Sequence, residues 1–106
     1  MTEINIPFNE WSKEKLRSQT KKATSRNSKY GKVGDTFKVI LFENGLFIEY
    51  ELELILRLPL WFVAEDLYRS EGASSKEEFI SVWQSIHPRK GYLPFDLVWY
   101  HHFKEI

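Results

Sequence analysis

The sequence predicts a small α+β domain, a mixed β-barrel with helices packed on its outside. Three observations lead there. The chain has 106 residues, 42% hydrophobic and 28% charged, the size and balance of one soluble globular domain with a single core. Strand-like stretches occupy two regions, Phe37–Leu54 and Phe95–Tyr100, and two helical patterns separate them. Four Trp, five Tyr and eight Phe make a heavy aromatic load, which suits the walls of a small barrel core and can also line a pocket that stacks on a planar ligand.

Taken in order, Asn9 is a suitable N-cap for a helix over Glu10 to Ser18, with Phe8 ahead of it and Trp11 and Leu16 as apolar contacts. Ala23 to Arg26 fits a short strand. Asn27 to Asp35, with Gly31 and Gly34, reads as a turn-rich loop. Phe37 to Phe42 is the next strand, closed by the hairpin turn Glu43-Asn44-Gly45. From Ile48 to Leu54 apolar and acidic residues alternate, which buries one face and solvates the other. Pro59 starts a helix through Trp61, Ala64 and Leu67 that ends near Glu71, with Gly72 as its stop. Ser75 and Glu78 form a capping box for a second helix, whose apolar stripe is Phe79, Val82, Trp83 and Ile86, and Pro88 follows its end. Phe95 to Tyr100 is aromatic and β-branched, as a closing strand requires. No repeat, linker or low-complexity tract divides the chain, so residues 1–106 are read as one domain.

The absence of cysteine excludes disulfides and thiolate metal sites. The start MTEINIPFNEW lacks the basic and apolar regions of a secretory signal, and no apolar stretch reaches the ~20 residues of a membrane span. A cytoplasmic protein without a membrane partner is the expectation. Net charge is zero, yet residues 1–38 hold nine Lys/Arg against four acids, a local +5 balanced by −5 in the remainder. Such asymmetry can form a positive face for polyanions, or a solvated surface with no partner.

Lys21, Lys22, Thr24 and Arg26 are the first chemical candidates. An extended Ala23–Arg26 puts Lys22, Thr24 and Arg26 on one face, and Lys21 reaches Thr24 only if the chain bends between helix and strand. Cations flanking a hydroxyl make an anion site, which Lys29 and Lys32 extend into the following loop. A neutral lysine beside Thr24 can also activate it as a nucleophile, given desolvation or a nearby positive charge such as Lys22 or Arg26. The same residues equally fit a solvated basic edge strand that discourages edge-to-edge pairing. Glu71, at the expected helix C-terminus, faces the negative end of the dipole, a placement that raises a carboxyl pKa as a general acid needs. It fits an ordinary surface glutamate as well. His101 and His102 are adjacent on a strand and point to opposite faces, so they cannot chelate one metal, and no metal or cofactor is expected.

Read together, a short helix leads into Lys21, Thr24 and Arg26 in the pattern K-x-x-T-x-R, and Gly34-Asp35 opens a strand. Glu71-Gly72 then closes an acidic helix, Trp83 lies near the end of the next helix, and Leu97 to Phe103 forms the last strand. This order, from about Phe8 to Phe103, resembles the ASCH domain, a compact barrel of the PUA-like superfold. The resemblance implies an association with RNA or nucleosides. Closer still is a likeness to the bacterial acetylcytidine amidohydrolases, whose catalytic Lys, Thr and Glu fall on Lys21, Thr24 and Glu71, with a basic residue at Arg26. In that mechanism Lys21 deprotonates Thr24, Thr24 attacks the acetyl carbonyl, Glu71 serves proton transfer to the leaving amine, and Arg26 stabilises negative charge. Two departures stand out: Gln19-Thr20 replaces a small, Gly-containing approach, and Lys22 stands where the family usually has Thr. The reading put first is an ASCH domain that binds RNA or a modified nucleoside through Lys21, Thr24, Arg26 and Glu71, with Lys22, Lys29 and Lys32 as further anion contacts. The alternatives are the amidohydrolase and a ribonuclease using the same basic pocket.

Overall fold

The structure is a computed structural model that describes residues 2–106. Local signals set most of its elements. Asn9 caps helix α1 (Glu10–Arg17) by accepting from the Ser12 amide at 2.8 Å. Ser75 caps helix α3 (Lys76–Ile86) by accepting from the Glu78 amide at 3.0 Å, while the Glu78 carboxylate turns back to the Ser74 amide at 2.7 Å. The hairpin turn at Glu43-Asn44-Gly45 forms, with Gly45 at φ +86°.

Four strands, β1 (Ala23–Arg26), β2 (Thr36–Ile40), β3 (Phe47–Pro59) and β4 (Leu97–Glu105), make one antiparallel sheet in the order β1-β4-β3-β2. The sheet curls into a half-barrel, with a bulge in β3 between Leu52 and Leu54. One parallel bridge, Glu3 to Thr36, adds the N-terminal segment beside β2. Strand β3 runs on to Pro59, past the alternating stretch that marks its first half. Ile55 to Leu58 are apolar or long-stemmed residues without a turn signal, and they pair with β4. Strand β4 starts and ends later than its aromatic composition suggests. Leu93 to Asp96 close a turn (Asp96 N to Leu93 O, 3.1 Å), Phe95 is left 84% exposed, and pairing continues through the histidines to Glu105.

Two clusters form the core. Phe37, Tyr50, Leu52 and Phe103 pack with Leu16 of α1 and Ile6, the aromatic rings meeting at centroid distances of 5.1–5.4 Å. Val98, Tyr100 and Ala23 pack with helix α2 (Leu60–Asp66) and with Phe79 and Trp83 of α3. No described helix is long and apolar enough to cross a membrane.

Helix α2 ends at Asp66, five residues short of the expected stop at Glu71. The Ser70 carbonyl beyond it accepts from both the Lys22 amide (2.6 Å) and the Ala23 amide (2.9 Å), which ties the following turn to β1. The chain from Leu67 to Ala73 instead makes tight turns, with Gly72 at φ +101°.

Candidate functional site

The bend that Lys21 needs is present and has a clear construction. After α1, Gln19 takes a left-handed φ of +63°, and the Thr20 and Lys21 amides both close on the Lys15 carbonyl at 3.0 and 3.2 Å. The Lys22 and Ala23 amides then turn to Ser70. Glycine ordinarily takes such a position, so Gln19 occupies a strained conformation at the approach to Lys21.

Bent this way, Lys21 points inward and is 4% exposed. Its ammonium donates to the Glu71 carbonyl at 2.8 Å and lies 3.5 Å from Glu71 Oε1. The other carboxylate oxygen, Oε2, accepts from Ser25 Oγ at 2.7 Å. Glu71 is also 4% exposed, so a buried carboxylate is held by an ammonium on one oxygen and a hydroxyl on the other. Because Glu71 stands in the turn beyond α2, the helix-dipole argument does not apply to it. Gly72 is what lets the turn close on Lys21: a Cβ there would sit 3.0 Å from Lys15 Cβ and 3.2 Å from Lys21 Cβ.

Thr24 and Arg26 share a face as expected, since Arg26 Nε donates to Thr24 Oγ1 at 3.1 Å. Arg26 also donates to the Pro7 carbonyl at 2.6 Å, and its guanidinium lies over the rings of Phe8 (5.0 Å) and Tyr30 (5.6 Å). Behind Thr24, the fully buried His101 is a satisfied core residue. Its Nε2 accepts from the Tyr30 amide at 2.9 Å, so Nδ1 carries the proton and donates to the Thr24 carbonyl at 3.2 Å.

Burial pushes the Lys21 pKa below the ordinary lysine value; the Glu71 charge opposes this, and the like charge of Arg26 adds to it. Burial likewise lowers Arg26, against the attraction of Tyr30 and Glu71, but a guanidinium stays charged. Burial also lowers His101, with its bond to Thr24 O opposing.

Lys21, Thr24, Ser25, Arg26 and Glu71 border one cavity of about 520 Å³, within the roughly 300–1,000 Å³ of small-molecule sites. Lys21, Thr24, Ser25, Arg26 and Glu71 form its polar end. Phe8, Trp11, Phe79, Val82, Trp83 and Ile86 supply most of the apolar wall. Phe79 and Trp83 of α3 and the capping His87 stack their rings in series, with centroid distances of 6.2 and 4.2 Å.

The fold therefore brings Lys21, Thr24, Arg26 and Glu71 together. It does not bring Lys22, Lys29 or Lys32 into the cavity wall, and all three are exposed. Lys22 parts company with Thr24 and Arg26 because the bend precedes the strand; it borders a second groove with Gln19, Glu53 and His102, which Lys21 lines from its other side. Among the described residues, no group of three or more His, Asp or Glu side chains is placed to hold a metal ion. Sequence reasoning missed Ser25 and the role of Trp11. Ser25 carries no motif, and only the tertiary approach of Glu71 marks it out.

No protein-family model matches the chain, and no curated protein matches it significantly. Solved structures do. The crystal structure of the ASCH domain from Lactobacillus crispatus JV V101 superposes with a TM-score of 0.67 at 17% identity, covering 98% of this chain and 78% of that one. The fold is that of an ASCH domain. A second match is the crystal structure of protein EF3133 from Enterococcus faecalis V583, of the family model DUF984, at a TM-score of 0.65 and 16% identity, covering 99% of this chain and 78% of that one. At these identities the likeness establishes the ASCH architecture, and what the cavity does must be argued from its own residues.

Proposed function

We propose that the cavity binds a planar, nucleoside-sized ligand, with a modified nucleoside of the cytidine type as its class. The observation that carries this reading is the buried polar cluster at one end of an aromatic-walled cavity of about 520 Å³. The apolar wall offers surface for a base, and the polar end offers what the edge of a base requires. Arg26 and Lys21 are charged or potential donors, Thr24 brings a hydroxyl, and Glu71 is an acceptor anchored from two sides. Calorimetric titration with cytidine and acetylcytidine tests the reading. One saturable site, weakened about tenfold or more by Arg26→Ala through loss of a charge-assisted contact, is the expected result. Absence of binding at millimolar nucleoside would sink it.

A second reading, amidohydrolysis of acetylated cytidine, is favoured by one further observation: a lysine with lowered proton affinity shares the cavity with Thr24 and Glu71. In this chemistry neutral Lys21 accepts the Thr24 hydroxyl proton as Oγ1 bonds to the acetyl carbon, and Arg26 offsets the oxyanion. The proton passes through Glu71 to the departing amine as the C–N bond breaks. Water then cleaves the acyl-threonine, releasing acetate. Release of cytidine and acetate by the wild type, abolished in Thr24→Ala, supports it; no release at high enzyme concentration contradicts it.

A further inference from the structure

At the sheet edge away from β1 and the cavity, β2 leaves part of its backbone unpaired. In an antiparallel strand the N–H and C=O of one residue point to the same side, and the side alternates along the chain. Asp35 and Leu41 bond across to β3, through Leu52 N to Asp35 O (2.9 Å) and Leu41 N to Leu46 O (3.1 Å). Thr36 bonds the other way: its amide donates to Thr2 O at 2.9 Å, and its carbonyl accepts from Ile4 N at 2.8 Å. Lys38 and Ile40 share the direction of Thr36. Among the described residues, though, their outward amides and carbonyls have no backbone partner. Beyond them the chain folds back into the hairpin turn, with Gly45 N on Phe42 O at 3.0 Å. The open window is therefore two residues long, closed by the N-terminal segment on one side and the turn on the other.

The side chains around this window are apolar. Ile40 is exposed, Phe47 stands directly opposite it on β3 and is exposed too, and Phe42 and Leu46 flank the pair. An exposed apolar edge is a template for further strand pairing unless a charge blocks it. Lys38 is the one charge in the window, and it is drawn aside: its ammonium lies 3.5 Å from Glu3 Oε1 and 5.0 Å from the centre of the Phe47 ring.

We propose that the β2 edge joins two copies of this chain into an antiparallel twofold dimer, with the axis at Val39. In that register Lys38 of each copy exchanges both backbone bonds with the partner's Ile40, and the four bonds use every open group of the window. An axis at Lys38 would oppose two ammonium groups and would need Thr36, already held by Thr2 and Ile4. An axis at Ile40 would need Phe42, whose carbonyl the hairpin turn holds. With the axis at Val39 no like charges are opposed. Each Lys38 instead approaches the partner's Ile40, which borders a groove that Glu43 also lines. Among the described residues Glu43 has no cation within 4.0 Å, and the other charges of that groove are Lys13 and the Arg17–Glu10 pair. A second copy is thus the occupant whose open groups match this window in number, direction and charge. Ile40, Phe42, Leu46 and Phe47 are each about half exposed, which at roughly 150–250 Å² for a large side chain offers on the order of 400 Å² per copy. A standard interface buries about 800 Å² per partner, so the dimer depends on its four backbone bonds and is weak.

Sedimentation velocity over a range from about 1 µM to 1 mM tests this. The expected result is a monomer–dimer equilibrium, half-associated on the order of 100 µM. Ile40→Lys sets a lysine against the partner's Lys38, and Ile40→Pro removes an outward amide while leaving the β2–β3 ladder intact. Each should weaken association about tenfold or more, with far-UV circular dichroism showing the fold retained. Should the proline variant fail to fold, the lysine variant at its exposed position carries the test. On dilution of the labelled wild type, the amide resonances of Lys38 and Ile40 should move together with the dimer fraction. A wild type that stays monomeric at 1 mM overturns the proposal. So does a dimer that keeps its affinity in Ile40→Lys, or one that a folded Ile40→Pro variant leaves unweakened, since backbone pairing is then not what holds it. Assemblies that grow beyond two copies contradict the twofold register, and dilution shifts centred away from β2 place the interface elsewhere.

Discussion

The Lys21–Glu71 pair should behave as a single buried unit in stability measurements. Their side chains are 3% and 6% exposed and Nζ–Oε1 is 3.5 Å. At an effective dielectric near 20, two unit charges at that distance attract by about 5 kcal/mol, largely offset by the cost of taking both out of water. Removing one partner forfeits the attraction and keeps the burial cost of the other. Lys21→Met leaves the Glu71 carboxylate with the Ser25 hydroxyl alone and should cost about 3–5 kcal/mol. Glu71→Gln should cost less, about 2 kcal/mol, because Lys21 keeps the Glu71 carbonyl at 2.8 Å and can shed its proton. The double variant should be more stable than the sum of the two by about 2 kcal/mol or more. Guanidinium unfolding followed by tryptophan fluorescence reads all three, and the coupling should persist at high salt because the pair is shielded from it. Single variants costing less than about 1 kcal/mol, or effects additive to within about 0.5 kcal/mol, would refute the buried-pair account. The same numbers explain why Thr24→Ala, and not Lys21→Ala, is the cleaner probe of chemistry.

Three further outcomes follow from the site. Gly72→Ala must hold a side chain at φ +101° and push on Lys15 and Lys21, so it should cost about 1–3 kcal/mol and weaken nucleoside binding; unfolding curves and titration check both. Gln19→Gly should stabilise by about 0.5–1 kcal/mol, since relief of the left-handed conformation exceeds the added chain entropy; a loss of stability there would contradict the strained bend. His101 should stay neutral as pH falls below 6.5, the ordinary histidine value. Its folded pKa is depressed, so its contribution to stability is complete above that value and is lost as pH falls through the window below it, with a slope of up to about 1.4 kcal/mol per pH unit. Histidine NMR resonances that show His101 titrating near 6.5 in the folded protein would contradict this.

Elements coded locally were legible in the chain. Asn9, Ser75 and the Glu43-Asn44-Gly45 turn satisfy neighbouring backbone, so their signals lie within a few residues and survived into the fold. The K-x-x-T-x-R spacing gave Lys21, Thr24 and Arg26, and it posed the bend as a requirement that Gln19 and Ser70 meet. What lay hidden depends on distant partners. The turns from Leu67 to Ala73 that follow α2 are tied to β1 through the Ser70 carbonyl, a distant contact that no propensity within residues 59–71 reveals. Ser25 matters because a carboxylate 46 positions away reaches it. Strand alternation groups Lys22 with Thr24 and Arg26, but the Lys22 and Ala23 amides share the Ser70 carbonyl, and that bend reorients Lys22. The length of β3 and the lateness of β4 come from their mutual pairing, which overrode the aromatic and acidic patterning of each taken alone.

Central to the account is that the Lys21–Thr24–Ser25–Arg26–Glu71 end of the aromatic cavity is where the ligand sits. Heteronuclear NMR titration with acetylcytidine tests this most directly. The account predicts saturable shifts concentrated at Thr24, Ser25, Arg26, Glu71 and the Trp11 and Trp83 indoles, with the groove beside Lys22 and His102 unmoved. Shifts centred on that groove, or none at saturating nucleoside, would contradict it.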